Sequence, residues 1–236
     1  MTSDELAKSI DFALLRPDAT INDVRRFCDQ ALEYNFATVF VNPCYIPIIS
    51  NLLRESAVKA GAAIGFPLGA STTSAKRFEA QDAIERGARE IDMVMNIGAL
   101  KSAQFDMVAR ELSAIIELVR KKEVEVSTGT VLVKVIIETC YLTDAEKRTA
   151  CRLVEEAGAD FVKTSTGFGP SGATPYDVRL LRKSVSSNVA VKASGGIRNL
   201  EQVISLLDAG ASRIGTSAGV EIMTEFLAAN KQKVKS

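Results

Sequence analysis

Apolar residues follow two rhythms along this chain. Short runs rich in Val, Ile and Phe alternate with longer polar stretches in which apolar residues return every third or fourth position. The runs are "IDFALL" (10–15), "TVFVNP" (38–43), "AAIGFP" (62–67), "EIDMVMN" (90–96), "VLVKVIIE" (131–138), "FVKTST" (161–166), "VAVKAS" (189–194) and "RIGTSA" (213–218), and each reads as a strand buried on both faces. The stretches between them read as amphipathic helices; Phe105, Val108, Leu112, Ile115, Ile116 and Val119 form one such stripe. Thr20, Ser71 or Thr72, and Thr143 with Glu146 as a capping box supply helix starts, and Gly61, Gly87, Gly158 and Gly210 are expected to close helices. The leading "MTSDELAKSI" reads as a short extra helix, and "KKEVEVSTGT" (121–130) as a surface loop.

A strand followed by a helix, eight times, is the pattern of a parallel (β/α)8 barrel, a TIM barrel of the α/β class. A doubly wound open sheet would also alternate in this way, but neither GxGxxG nor GxxxxGK[ST] follows the first strand. No linker or shift of composition divides the chain, so residues 1–236 are expected to form a single domain.

Composition narrows the partners. Lys and Arg total 29, as do Asp and Glu, and no run of like charge is long enough to mark a nucleic-acid or membrane-binding face. No apolar run reaches the roughly 18 residues of a membrane span, and the N-terminus has acidic residues where a signal peptide would be basic and then apolar. A cytoplasmic protein with a small-molecule partner is expected. Cys28, Cys44, Cys140 and Cys151 show no CxxC pairing or metal-ligand spacing and read as reduced small hydrophobes. The absence of histidine changes the picture most, because it removes His-based nucleophilic triads and imidazole-held zinc. The chemistry then falls to Lys, Asp, Glu, Tyr, Ser or Cys, with no external cofactor and no metal.

Four charges interrupt the buried strands: Asp92, Lys134, Lys163 and Lys192. They could form an ion-pair layer that fills the barrel, or point outward with only their stems covered. They could also carry imine chemistry. A free lysine, with a pKa near ~10.4, is almost wholly protonated at neutral pH, and only the neutral amine attacks a carbonyl. Burial and a second ammonium both disfavour the charged state, and a drop of about three units corresponds to roughly 4 kcal/mol. Strands six and seven would set Lys163 and Lys192 side by side, one as nucleophile and the other as its tuner and proton carrier. Asp92 could then move protons for the enamine that follows. In such barrels phosphate often binds after strands seven and eight, which here read "SGGIR" (194–198) and "GTSAG" (215–219). Glycines that only make tight turns would give the same letters.

These residues resemble the deoxyribose-phosphate aldolase family along nearly the whole chain: "IDFALLRPDAT", "FVNPCYIP", "GFPLGA", "EIDMVMNIGAL", "KVIIET", "DFVKTSTGFGPSGAT", "VKASGGIR" and "GTSAGVEIM" occur in that order. The resemblance implies a class I aldolase that cleaves 2-deoxy-D-ribose 5-phosphate reversibly to acetaldehyde and D-glyceraldehyde 3-phosphate. It assigns Lys163 as the Schiff-base lysine, Lys192 as its activating neighbour and Asp92 as a partner in proton relay. It further implies that Gly167, Gly195, Gly196, Gly215, Thr216 and Ser217 line the phosphate pocket, with Arg198 as a further contact, and that Asp11 approaches the substrate hydroxyls. Members are commonly cytosolic homodimers or homotetramers. Where members often read "DHTLL", this chain has Phe12 and Ala13, which places both near the substrate; Phe168 and Ala218 stand where a lysine and a serine can serve phosphate, and no tyrosine follows Tyr176. Two other readings remain open: a lysine-dependent lyase or transferase for another sugar phosphate, and a non-catalytic phosphosugar-binding barrel.

Overall fold

A computed structural model describes residues 1–126 and 129–235. Eight parallel strands, β1 Ile10–Leu14, β2 Thr38–Val41, β3 Lys59–Ile64, β4 Glu90–Val94, β5 Leu132–Ile136, β6 Phe161–Lys163, β7 Ala190–Ser194 and β8 Arg213–Thr216, close into a barrel in sequence order, β8 pairing with β1. The helices are α1 Ser3–Ser9, α2 Ile21–Tyr34, α3 Ile46–Leu52, α4 Thr73–Glu85, α5 Ile97–Lys101, α6 Phe105–Glu125, α7 Asp144–Glu156, α8 Pro175–Ser184, α9 Leu200–Asp208 and α10 Gly219–Lys235. The expected (β/α)8 barrel is thus observed, and α1 is the expected extra N-terminal helix. Among the described residues no helix is long and apolar enough to cross a membrane.

Local chemistry sets the helix starts. Thr2, Thr20 and Thr143 each accept a hydrogen bond from the third helical N–H, while Glu5, Asp23 and Glu146 reach back to the cap; Thr72 caps α4 in the same way through its hydroxyl. The helix α6 runs to Glu125, through half of the segment expected to be a loop. Side-chain pairs one turn apart, Arg120 with Glu123 and Lys122 with Glu125, sustain that last stretch. Residues 127 and 128 of the expected loop lie outside the described residues.

Strand side chains divide by parity into two compartments. Val39, Val41, Ile91, Met93, Val133, Val135, Val162, Val191, Ala193 and Ile214 face the helices and join Val24, Ile84, Leu112, Val154, Leu181 and Leu206 in a continuous apolar core. The alternate positions fill the barrel, where charged side chains replace the usual branched apolar layers.

Gly61 does not close a helix. It lies inside β3, opposite Phe40 on β2, and a Cβ there would stand 2.6 Å from the Phe40 ring. A glycine in a strand interior often marks such a close approach. Gly61→Ala should force the ring aside and cost about 1–3 kcal/mol of stability, measurable by urea unfolding.

Candidate active site

Each strand-borne charge sits where its ladder partner puts it. Lys163 pairs with Lys192 across β6 and β7, Asp92 with Lys134 across β4 and β5, and Lys192 with Arg213 across β7 and β8. Since paired residues of a parallel ladder point the same way, all of these side chains converge inside the barrel. The strand β6 stops at Lys163 rather than running on to Thr166: Thr164 still donates its N–H to the Lys192 carbonyl, and beyond it side chains take over from the ladder. Thr164 trades hydrogen bonds with Ser194 through its hydroxyl, and Glu138 takes the Thr166 N–H.

At the centre is Asp92, whose Oδ2 accepts from Lys163 Nζ at 2.5 Å and from Lys192 Nζ at 2.6 Å. Behind Lys192, Asp11 pairs with it at 2.5 Å and with Arg213, while Glu90 holds Lys134 and Arg213. Lys134 also stands 3.7 Å from Asp11 and 3.6 Å from Asp92. The ion-pair layer and the candidate catalytic cluster are therefore one network, not alternatives. It contains four cations, Lys134, Lys163, Lys192 and Arg213, and three carboxylates, Asp11, Glu90 and Asp92.

That excess of one positive charge is unevenly shared. Burial would lift the Asp92 carboxyl, but the ammonium groups of Lys163, Lys192 and Lys134 more than offset it and hold Asp92 ionised down to about 2. Burial opposes charge on Lys134 as well, yet Glu90, Asp11 and Asp92 together keep it firmly protonated. At Lys192 burial prevails over Asp11 and Asp92, with Lys163 and Lys134 adding repulsion, and its proton is held only to about 8.

Only part of this network meets the opening of the barrel. A cavity of about 310 Å³ at the carboxyl ends of the strands is lined by Lys163, Gly167, Gly195, Gly196, Arg198, Gly215, Thr216 and Ser217, all expected at the site, and also by Ala13, Thr166, Phe168 and Ser194. Lys192 and Asp92 are each 1% exposed and, unlike Lys163, do not line it. Asp11, expected at the substrate hydroxyls, does not line the cavity. It is 0% exposed, and its carboxylate is turned to Lys192 and Arg213 in the layer below.

Phe12 also departs from expectation. As a neighbour of two inward residues it points outward, stacks on Phe27 with ring centroids 4.2 Å apart, and touches Phe36, so Ala13 alone of that pair reaches the cavity. Ala218 packs against the hydrophobic core rather than the cavity. The residues the sequence reading missed follow the same parity. Glu90 stands two places before Asp92 and Arg213 two places before Gly215, and a period of two from the chosen residues would have found both. Glu138 gave no such signal. It is buried, adopts φ 54°, and bonds the Thr166 N–H and hydroxyl, thereby fixing the loop that carries Thr166, Gly167 and Phe168 into the cavity.

For an anion, the cavity has glycine-rich turns at 195–196 and the N-terminal end of α10, with Ser217 just before it. Two guanidinium groups line it. Arg16 is engaged by Asp18 and Asp23, whereas Arg198 has no carboxylate partner among the described residues.

Comparison with known proteins gives one consistent result. The model of the DeoC/LacD family aldolases matches residues 5–225. The deoxyribose-phosphate aldolase of Thermoanaerobacter pseudethanolicus is 50% identical over 229 residues, which is 97% of this chain and 99% of that protein. That of Clostridium tetani is 49% identical over 221 residues, 94% of this chain and 99% of its own. Among solved structures, the tetrameric deoxyribose phosphate aldolase from Aeropyrum pernix superposes with a TM-score of 0.87 at 36% identity, covering 97% of this chain and 93% of that one.

Proposed function

This chain belongs to the DeoC/LacD family of aldolases, and from that premise we propose that it cleaves 2-deoxy-D-ribose 5-phosphate reversibly to acetaldehyde and D-glyceraldehyde 3-phosphate through a Schiff base on Lys163. The observation that carries the assignment of roles is the position of Lys163: it lines the cavity, stands in register with Lys192, and shares Asp92 Oδ2 with it.

The geometry supports a complete cycle. Four cations face three carboxylates, Lys134 and Arg213 are held charged, and Lys192, which gives up its proton near about 8, shares one carboxylate oxygen with Lys163 and can take a proton from it. The neutral Lys163 amine attacks the aldehyde carbon of the open-chain sugar; the carbinolamine loses water to give the iminium. A base in the Asp92–Lys192 pair then relieves the 3-hydroxyl of its proton, and the C2–C3 electron pair moves into the iminium as the enamine. Glyceraldehyde 3-phosphate departs, the enamine takes a proton at C2, and water releases acetaldehyde and the amine. Gly167, Gly195, Gly196, Gly215, Thr216 and Ser217 form the phosphate cradle, with Arg198 as its cation. Asp11 acts on the reaction through Lys192 rather than on the substrate. The enzyme works in the cytosol as a homodimer or homotetramer.

Borohydride trapping with acetaldehyde, followed by peptide mapping, tests the reading. The adduct should fall on Lys163. Its rate of formation should rise with pH through the region near about 8 in which Lys192 gives up its proton, and level off above it, because only the neutral Lys192 can accept a proton from its neighbour. An adduct on another lysine, or none, would remove the assignment. Arg198→Ala should raise KM for the phosphorylated sugar roughly tenfold while leaving kcat/KM for the unphosphorylated sugar within about twofold.

A further inference from the structure

Phe40 holds a position that neither the ion pairs nor the outer core explains. It is 1% exposed and turns its ring into the charged interior of the barrel, where the ring centroid stands 3.9 Å from Lys192 Nζ, 4.6 Å from Lys134 Nζ and 6.0 Å from Lys163 Nζ. Its seat is made by Gly61, its ladder partner on β3, where a Cβ would strike the ring. The chain thus accepts a glycine inside a strand in order to place an aromatic face among three amines.

The charges around Lys192 give that face a task. Asp11 reaches Lys192 from β1, Asp92 from β4, Lys163 from β6 and Lys134 from β5, with Arg213 beside it on β8 and Glu90 behind Lys134. The carboxylates leave one cation unmatched. A fourth carboxylate would balance the network and keep both amines protonated; an aliphatic side chain would offer the unmatched cation nothing. An aromatic face attracts an ammonium group yet cannot take its proton.

We infer that Phe40 is a positioning residue whose ring face holds the Lys192 side chain against Asp92 and beside Lys163. This inference rests on the reading of Lys163 as the imine-forming residue and Lys192 as its partner. The cation is thereby steadied without being neutralised, so Lys192 can both hold and release a proton during turnover.

The test is a titration of Lys192 in the substrate-free protein, followed by the 13C shift of its Cε and assigned by loss of the signal in Lys192→Met. Phe40 is replaced, at that position only, by 4-fluoro-, 3,5-difluoro- and 3,4,5-trifluorophenylalanine, which weaken the ring face while keeping its shape, and in a separate variant by leucine. Because the ring favours the ammonium, weakening it should move the Lys192 midpoint downward step by step from about 8, by about one pH unit in Phe40→Leu. The acid limb of kcat/KM should move the same way. A midpoint constant to about 0.2 units across the fluorinated series would overturn the inference and reduce Phe40 to packing. Should Phe40→Leu fail to fold, the fluorinated proteins decide. The titration needs no substrate, so failure of the aldolase reading appears separately, as loss of trapping at Lys163 with an intact Lys192 response.

Discussion

Lys163→Leu is expected to abolish borohydride trapping by acetaldehyde and to lower kcat by about four orders of magnitude or more, a loss of at least ~5.5 kcal/mol of transition-state stabilisation. Without the amine no iminium forms, and nothing else that lines the cavity is a lysine. Stability should move the other way. The variant removes the surplus cation, leaving Lys134, Lys192 and Arg213 against Asp11, Glu90 and Asp92, so the interior becomes electrically balanced. Replacing a buried charge by an apolar side chain of fitting size is often neutral or stabilising when no partner is stranded, and Asp92 keeps Lys192. A thermal midpoint no lower than that of the parent, together with absent trapping, is the expected pair of results. A stable variant that still forms the adduct would place the nucleophile elsewhere.

Asp92→Asn is expected to separate the steps of the cycle and to destabilise the barrel. The carboxamide fills the same space but carries no charge, and four cations then face two carboxylates. Removing one partner of a buried pair typically costs about 3–5 kcal/mol. The amines can lessen that cost by giving up protons, so the loss should shrink as pH rises: larger in urea unfolding near about pH 6 than near about pH 9, because higher pH discharges the crowded lysines. The same release of protons should let acetaldehyde trapping at Lys163 persist. Turnover should nonetheless fall by about 10²–10⁴, since the shared acceptor at 2.5 and 2.6 Å from the two amines is gone and protons no longer pass between substrate, Lys163 and Lys192. Loss of trapping in a folded Asp92→Asn protein would instead make Asp92 essential to forming the imine.

These expectations depend on a balance of charge that single residues do not reveal. Lys163 and Lys192 stood out in the sequence because each interrupts an apolar strand, and the glycine turns after β7 and β8 stood out by composition. The rest of the charge network was less legible. Glu90 begins its strand and Arg213 begins β8, positions where a charge ordinarily faces water, so neither looked unusual by itself, and only the period of two from Asp92 and Gly215 marks them as inward. Asp11 entered only through the family resemblance, as a contact of the substrate hydroxyls; its supporting place was not legible, because its depth along the axis depends on how far β1 is staggered against β8. Phe12 was expected close to the substrate because it stands in the motif that members read as "DHTLL", while its parity in β1 turns it outward onto Phe27.

The sequence by itself determined the order of strands and helices, most of the helix caps and the identity of the two crowded lysines, since these follow from spacings of two to four residues and from the cost of burying a charge. Only the tertiary structure decided which amine meets the cavity, which carboxylate each cation finds and how many of each share the interior. Those outcomes arise from contacts between residues 71, 100 and 202 places apart, Lys163 with Asp92, Lys192 with Asp92 and Arg213 with Asp11. Closing the barrel fixes them all at once, because one stagger sets the height of every inward side chain.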